Sequence, residues 1–248
     1  MKTITNTIAA IALLTVATLS AVAQTQVGPA QKADVSTLQL GAQTVALPAP
    51  AGFEEATSQF DVIKKQFTLT EAPGNDLLAV YLPTEACEKL RAGEFGPFNT
   101  NAKVSIRSAV REVDFSAERF TTLVAEYRKS GAQTLDLNSP MMKGIMERLG
   151  QSASELSKQE TKVDLSQPVN LGEFDTRPNI YSVMLLLHVT AKSGDGEASV
   201  PILGSLSYVR VKQRLLYVYT YRKYAAPSDV ETLRDLTKQW IGQIVAAN

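Results

Sequence analysis

The sequence predicts an α+β domain, an antiparallel sheet with flanking helices and a C-terminal helix packed on the sheet. Three observations carry this. Residues 181–190, 200–212 and 215–221 are rich in β-branched and aromatic side chains and are parted by Ser193-Gly194-Asp195-Gly196 and by Lys212-Gln213-Arg214, the pattern of two successive hairpins. Upstream, several segments carry apolar residues at helical spacing behind recognisable caps. With 248 residues, of which 44% are hydrophobic, the chain can bury a substantial core.

Lys2 is the only charge ahead of an apolar run from Ile8 to Val22 that ends in Ala21-Val22-Ala23, the small-x-small pattern of a signal-peptidase site. Residues 1–23 are therefore expected to be a signal peptide cleaved before Gln24. The protein is then exported, periplasmic or secreted, with no transmembrane span after cleavage. No cysteine adjoins the cleavage site, which argues against a lipid anchor. Residues 24–43, rich in Gln, Ala, Thr and Ser, read as a flexible N-terminal segment, followed by a single domain over 44–248.

Within that domain, 44–53 reads as a short edge strand stopped by Pro48 and Pro50. Phe60, Ile63 and Phe67 mark a short helix, and 77–82 a compact apolar strand. Thr84 is read as the cap of a helix that holds Cys87 and Leu90 and ends at Gly93. Alternation over 102–113 predicts a strand with an apolar face (Val104, Ile106, Val110) and a wetter one (Ser105, Arg107, Arg111). Ser116 caps a helix with Phe115 and Phe120 as a hydrophobic staple, and Ser139-Pro140 opens another that Gly150 is expected to stop. Residues 151–162 are polar and read as a surface connection with room for some helix. Pro227-Ser228 opens the final helix, with Ser228 and Glu231 at capping-box spacing and Leu233, Trp240, Ile241 and Ile244 on one side. The arrangement is broadly similar to small exported sheet-and-helix domains such as the photosystem PsbP-like group, with which no diagnostic motif is shared, so no residue role is carried over.

Composition excludes several function classes. Lysine plus arginine (25) equals aspartate plus glutamate (25), and removing residues 1–23 takes away Lys2 alone, leaving about minus one. That balance, with export, argues against nucleic acid as a partner. One cysteine forbids an internal disulfide, and one cysteine with one histidine is too few for a Cys/His metal centre. Met142 and Met146 lie one helical turn apart, but on the same stripe as Ile145 and Leu149, where methionine fills core space. No metal site and no cofactor are expected.

The candidate binding surface is the acid-free stretch 198–228, which holds five of the eight tyrosines. Alternation places Tyr208, Arg210 and Lys212 on one face of a strand and Tyr217, Tyr219 and Tyr221 on one face of the next, with Arg214, Arg222 and Lys223 alongside. A cationic and aromatic surface suits an anionic envelope polymer or an acidic protein. The competing reading is a tyrosine row packed beneath the terminal helix, as in ordinary sheet cores. Arg210, Lys212 and Arg214 are expected to be exposed around a turn and replaceable by serine at little cost in stability.

Catalytic readings are thinner. Cys87 near a helix start has no nearby base, and Glu85 disfavours its thiolate. No serine lies in Gly-x-Ser-x-Gly. Glu173 and Asp175 can share one side of an extended segment, without the second elements a glycosidase needs. No catalytic residue is assigned. The sequence therefore reads as an exported, non-enzymatic binding or envelope-associated accessory protein; the alternative is an exported hydrolase or transferase using acidic residues or Cys87.

Overall fold

The computed structural model describes residues 35–130, 137, 139–157, 159–194 and 196–248. The expected signal peptide and the start of the N-terminal segment lie outside the described residues. The architecture is α+β, as the hairpin pattern and capped helices predict.

Two long hairpins form the spine: β8 (Ile180–Ser193), β9 (Gly196–Val211) and β10 (Arg214–Lys223) pair antiparallel without a register shift. β10 continues onto β5 (Thr100–Arg107), then β4 (Asn75–Pro83) and β3 (Phe53–Glu55), while β6 (Lys162–Leu165) and β7 (Val169–Asp175) share the far edge of β8. β1 (Val35–Leu40) and β2 (Gln43–Pro48) make a separate two-stranded sheet. Residues 35–40 are therefore a strand, against the flexible segment expected over 24–43. Leu38 and Leu40 alternate inward with Val45 and Leu47 across the Gly41-Ala42 turn, and burial of that face fixes the hairpin.

The sheet is covered on both sides. One face, with Leu216 and Val218 of β10, packs under α5 (Ser228–Ala246) and the β1–β2 hairpin, where Trp240, Ile241, Ile244, Leu40, Val45 and Leu47 are buried. The other, with Leu215, Tyr217, Tyr219 and Tyr221, packs under α1 (Asp61–Leu69), α2 (Thr84–Arg91), α3 (Ala117–Ser130) and α4 (Pro140–Ser157). Among the described residues no helix is long and apolar enough to cross a membrane.

Two of the four expected side-chain caps hold, and α4 and β5 end elsewhere than expected. Ser116 Oγ accepts from Arg119 N at 3.2 Å and Ser139 Oγ from Met142 N at 3.3 Å, and Phe115 and Phe120 are both buried as the staple requires. Thr84 is the first residue of α2 rather than its side-chain cap. α4 runs through Gly150, because this glycine serves a close approach: a Cβ there would lie 3.0 Å from Thr161 O on the chain returning to β6. β5 stops at Arg107, where Ser108 Oγ donates to Asp76 at 2.6 Å and a turn begins. The Ser228–Glu231 capping box does not form; Glu231 pairs instead with Arg234 at 2.6 Å.

The start of α5 is organised by Asp229. Its carboxylate accepts from Ala225 N at 2.8 Å, Ala226 N at 2.9 Å and Arg222 Nε at 2.6 Å. These donors hold its pKa down at about 2, the backbone bond from Ala225 contributing most and Arg222 next. A group with a depressed folded value adds stability above its unfolded value, near 3.9, and loses it as pH falls towards 2. Acid unfolding followed by circular dichroism should therefore steepen below about pH 4, and Asp229→Asn should remove that part of the slope.

Candidate functional site

The tyrosine row is real and lies inside. Tyr217, Tyr219 and Tyr221 share one face of β10, as alternation predicts, and Tyr208 of β9 joins them, all four buried. The covering elements are α1, α3 and α4, on the face away from the terminal helix. Tyr208 meets Tyr217 edge-on at 5.5 Å and Tyr127 of α3 at 5.8 Å, while Tyr219 stacks on Tyr221 at 6.2 Å. Gly204, opposite Tyr221, leaves room for its ring, which a Cβ would meet at 3.3 Å. Burial pushes the Tyr208 and Tyr219 hydroxyls well above their usual range. Tyr208, Tyr217, Tyr219 and Tyr221 are core residues rather than the ligand contacts their sequence pattern suggests.

Beneath the same helices sits a buried ion pair. Lys103 of β5 is fully buried, donates to Glu71, and lies 5.0 Å from the centre of the Tyr219 ring. Ser105 Oγ donates to the same carboxylate at 3.0 Å. Burial lowers the Lys103 pKa, and the Glu71 charge opposes that shift. The face of β5 expected to be wetter is closed by the end of α1.

The cations of 198–228 separate into two ends of the sheet. Arg214 is 1% exposed: its Nε donates to Leu40 O at 2.9 Å and its Nη1 to Asp114 at 2.6 Å and to Gln213 O at 3.0 Å. It is a structural clamp between β10, the β1–β2 turn and the 112–115 loop, so serine there is costly, against expectation. Gly41 in that turn has φ +58°, and a Cβ would meet Glu112 Cα at 2.9 Å, so Gly41→Ala should be strongly destabilising in a urea titration. Arg222 pairs with Asp229, the first acid past the acid-free stretch, and Lys223 is exposed. These two lie about 30 Å from Lys212, since β10 rises about 3.3 Å per residue.

Arg210 and Lys212 remain as surface cations, and the structure adds Arg119 to them. Arg210 Nε donates to Phe115 O at 2.6 Å, Arg119 Nη1 to the adjacent Asp114 O at 3.2 Å, and Lys212 Nζ to Thr44 O at 2.8 Å. Arg119 also lies over the Phe115 ring at 5.7 Å. None of the three has a carboxylate partner among the described residues. Val113 on the loop between them is 45% exposed. Glu112 and Glu118 are exposed nearby, and Asp114 is held by Arg214. The result is a small rim of cations around one exposed apolar side chain, fixed to the backbone.

The turn that presents Lys212 is strained. Lys212 (φ +43°) and Gln213 (φ +59°) are both left-handed, the two-residue hairpin geometry that favours Asn-Gly. It is held in place by Phe115 N donating to Gln213 O at 2.8 Å and by the Lys212 and Arg214 contacts. Gln213→Gly should therefore raise stability by about 1 kcal/mol, measured by urea unfolding, while leaving the side chain of Lys212 in place.

The catalytic candidates fare differently. Cys87 is fully buried and its thiol is pushed up to about 12, first by burial and then by the charge of Glu54, with Arg91 opposing. Native Cys87 should thus react with a thiol reagent only as fast as the chain opens, a rate readable with a chromogenic disulfide. Glu173 and Asp175 do not act together: a register shift falls between them, Glu173 is held by Arg128 and Tyr181, and Asp175 by Arg177. Met142 is in the core and Met146 packs against it, whereas His188 is exposed on β8. Among the described residues no three of His, Cys, Asp and Glu are grouped to hold a metal. A cleft lined in part by Pro83, Lys89, Pro97 and Phe98 encloses about 190 Å³, below the size of most small-molecule sites.

No protein-family model matches this sequence, and no curated protein is similar to it in sequence. Among solved structures, the chain aligns with a mutant of the protein Mog1 at 13% identity and a TM-score of 0.33, covering 87% of this chain and 95% of that one. It also aligns with the Ran-binding protein Mog1p of Saccharomyces cerevisiae at 12% identity and a TM-score of 0.29, over 86% of this chain and 94% of that one.

Proposed function

We propose that the protein is an exported, non-enzymatic binding or envelope-associated accessory domain that holds an anionic envelope polymer or an acidic partner protein on the rim of Arg119, Arg210 and Lys212. One observation carries the reading: these three cations are anchored by backbone carbonyls, and none of them forms an ion pair with a carboxylate among the described residues. An anion that meets them gains charge-assisted hydrogen bonds without breaking an existing ion pair. The apolar centre at Val113 adds contact area that a salt-independent component of binding would use. Export rests on Lys2, the apolar run and Ala21-Val22-Ala23. The alternative of a Cys87 transferase or hydrolase loses its nucleophile with a thiol at about 12.

The test uses two immobilised probes, dextran sulfate for a polymer and polyglutamate for an acidic protein. Wild type should be retained at low salt and released as ionic strength rises, since screening acts fully on exposed charges. The combined change Arg119→Ser, Arg210→Ser and Lys212→Ser, with Arg214 kept, should elute from at least one probe at clearly lower salt. Its unfolding free energy should fall only by the loss of carbonyl contacts, about 1 kcal/mol each. Unchanged elution from both probes contradicts the assignment.

A further inference from the structure

The β1–β2 hairpin has two outer edges that are treated differently. Its tight Gly41-Ala42 turn is closed by Leu40 and Gln43, which makes 40/43, 38/45 and 36/47 the hydrogen-bonded pairs. The main-chain groups of Thr44, Ala46 and Pro48 then point away from β1, and those of Val35, Thr37 and Gln39 away from β2. On the β2 side four of the outward groups are occupied: Thr44 O accepts from Lys212, Ala46 N and O bond the Asn248 side chain at 2.9 and 2.8 Å, and Pro48 O accepts from Trp240 at 2.8 Å. On the β1 side no described residue takes the outward groups of Val35, Thr37 or Gln39.

Other strands that border the sheets are blunted. β3 is three residues long, β6 is four and carries Lys162 and Asp164, and β7 is broken by two register shifts and a left-handed Gly172 (φ +101°). β1 has none of these devices. Val35-Ser36-Thr37-Leu38-Gln39-Leu40 holds no charge, no proline and no glycine, and pairs with β2 without a shift.

We propose that β1 is a strand-addition surface whose occupant is a second copy of this chain. A two-fold axis through Thr37 pairs Thr37 with Thr37 and Val35 with Gln39 of the other copy. That register keeps Leu38 and Leu40 on the core face of both hairpins and satisfies all the outward groups at once with about six main-chain hydrogen bonds. It opposes no like charges, and the exposed Val35 side chain (51%) gains a neighbour on the solvent face. The second copy is favoured because the uncharged edge matches itself in this register, with outward groups opposite outward groups along its length. The shared edge is only six residues long, so the dimer forms and dissociates with concentration.

Sedimentation equilibrium on the protein as exported tests this, together with Thr37→Lys, which sets two ammonium groups against each other at the axis. Thr37 is exposed on the single chain, so the variant keeps its fold. Wild type should pass from monomer to dimer mass with rising concentration, and Thr37→Lys should stay monomeric with an unchanged thermal midpoint at dilution. A wild type that is monomeric throughout overturns the proposal, and so does a Thr37→Lys variant that associates as well as wild type. Slow hydrogen exchange at the amides of Val35, Thr37 and Gln39 in dilute protein also overturns it, because another segment of the same chain then covers the edge.

Discussion

Lys103→Met should lower the unfolding free energy by about 3–5 kcal/mol, because it leaves Glu71 charged and buried without its partner. The two side chains sit 0% and 5% exposed, so neither can turn to water when the other is lost. Adding Glu71→Gln removes the stranded charge while keeping an acceptor for Ser105, and the double variant should recover most of the loss. Urea unfolding of the wild type, both single variants and the double gives the coupling directly. A Lys103→Met variant as stable as wild type would mean that the pair is not held out of water.

Trp240→Ala should cost about 3–5 kcal/mol as well, for a different reason. The indole is 1% exposed, meets Tyr81 of β4 edge-on at 5.2 Å, and donates from Nε1 to Pro48 O at 2.8 Å. It therefore joins α5, β2 and the sheet at one point. Truncation opens a large cavity and strands the β2 carbonyl, so the urea midpoint should drop sharply. An unchanged midpoint would show α5 and the hairpin to be appendages.

The spine of the fold was legible because its signals are local. Turn residues around 194 and 213, caps at Ser116 and Ser139, and alternation along β8 to β10 all act within a few residues, and the observed elements follow them. What escaped depends on distant contacts. Leu38 and Leu40 form a strand only because Val45, Leu47 and α5 close over them, although their alternation about Gly41 was a usable signal. Ser105 reads as solvent-facing because its partner, Glu71, lies 34 residues upstream. Gly150 looks like a helix stop until Thr161 is seen against it.

The candidate site divides the same way. Which tyrosines share a face followed from alternation, but which helices bury them did not. Arg210 and Lys212 were found as surface cations from the turn beside them. Arg214, two residues on, is drawn inward by Asp114, 100 residues earlier, and Arg119 joins the rim from α3 with no mark in the sequence near 210. A local acid-free stretch therefore overstated the charge of one surface and missed a member of the real one.

The most direct test of the binding rim is to locate contact residue by residue. Backbone amide shifts of labelled protein, followed by NMR as dextran sulfate or polyglutamate is added at low salt, should move first at Val113, Asp114, Phe115, Arg119 and Arg210 to Gln213, and return as salt is raised. Shifts centred instead on Lys223 and the start of α5, or spread evenly over exposed lysines, would contradict the account.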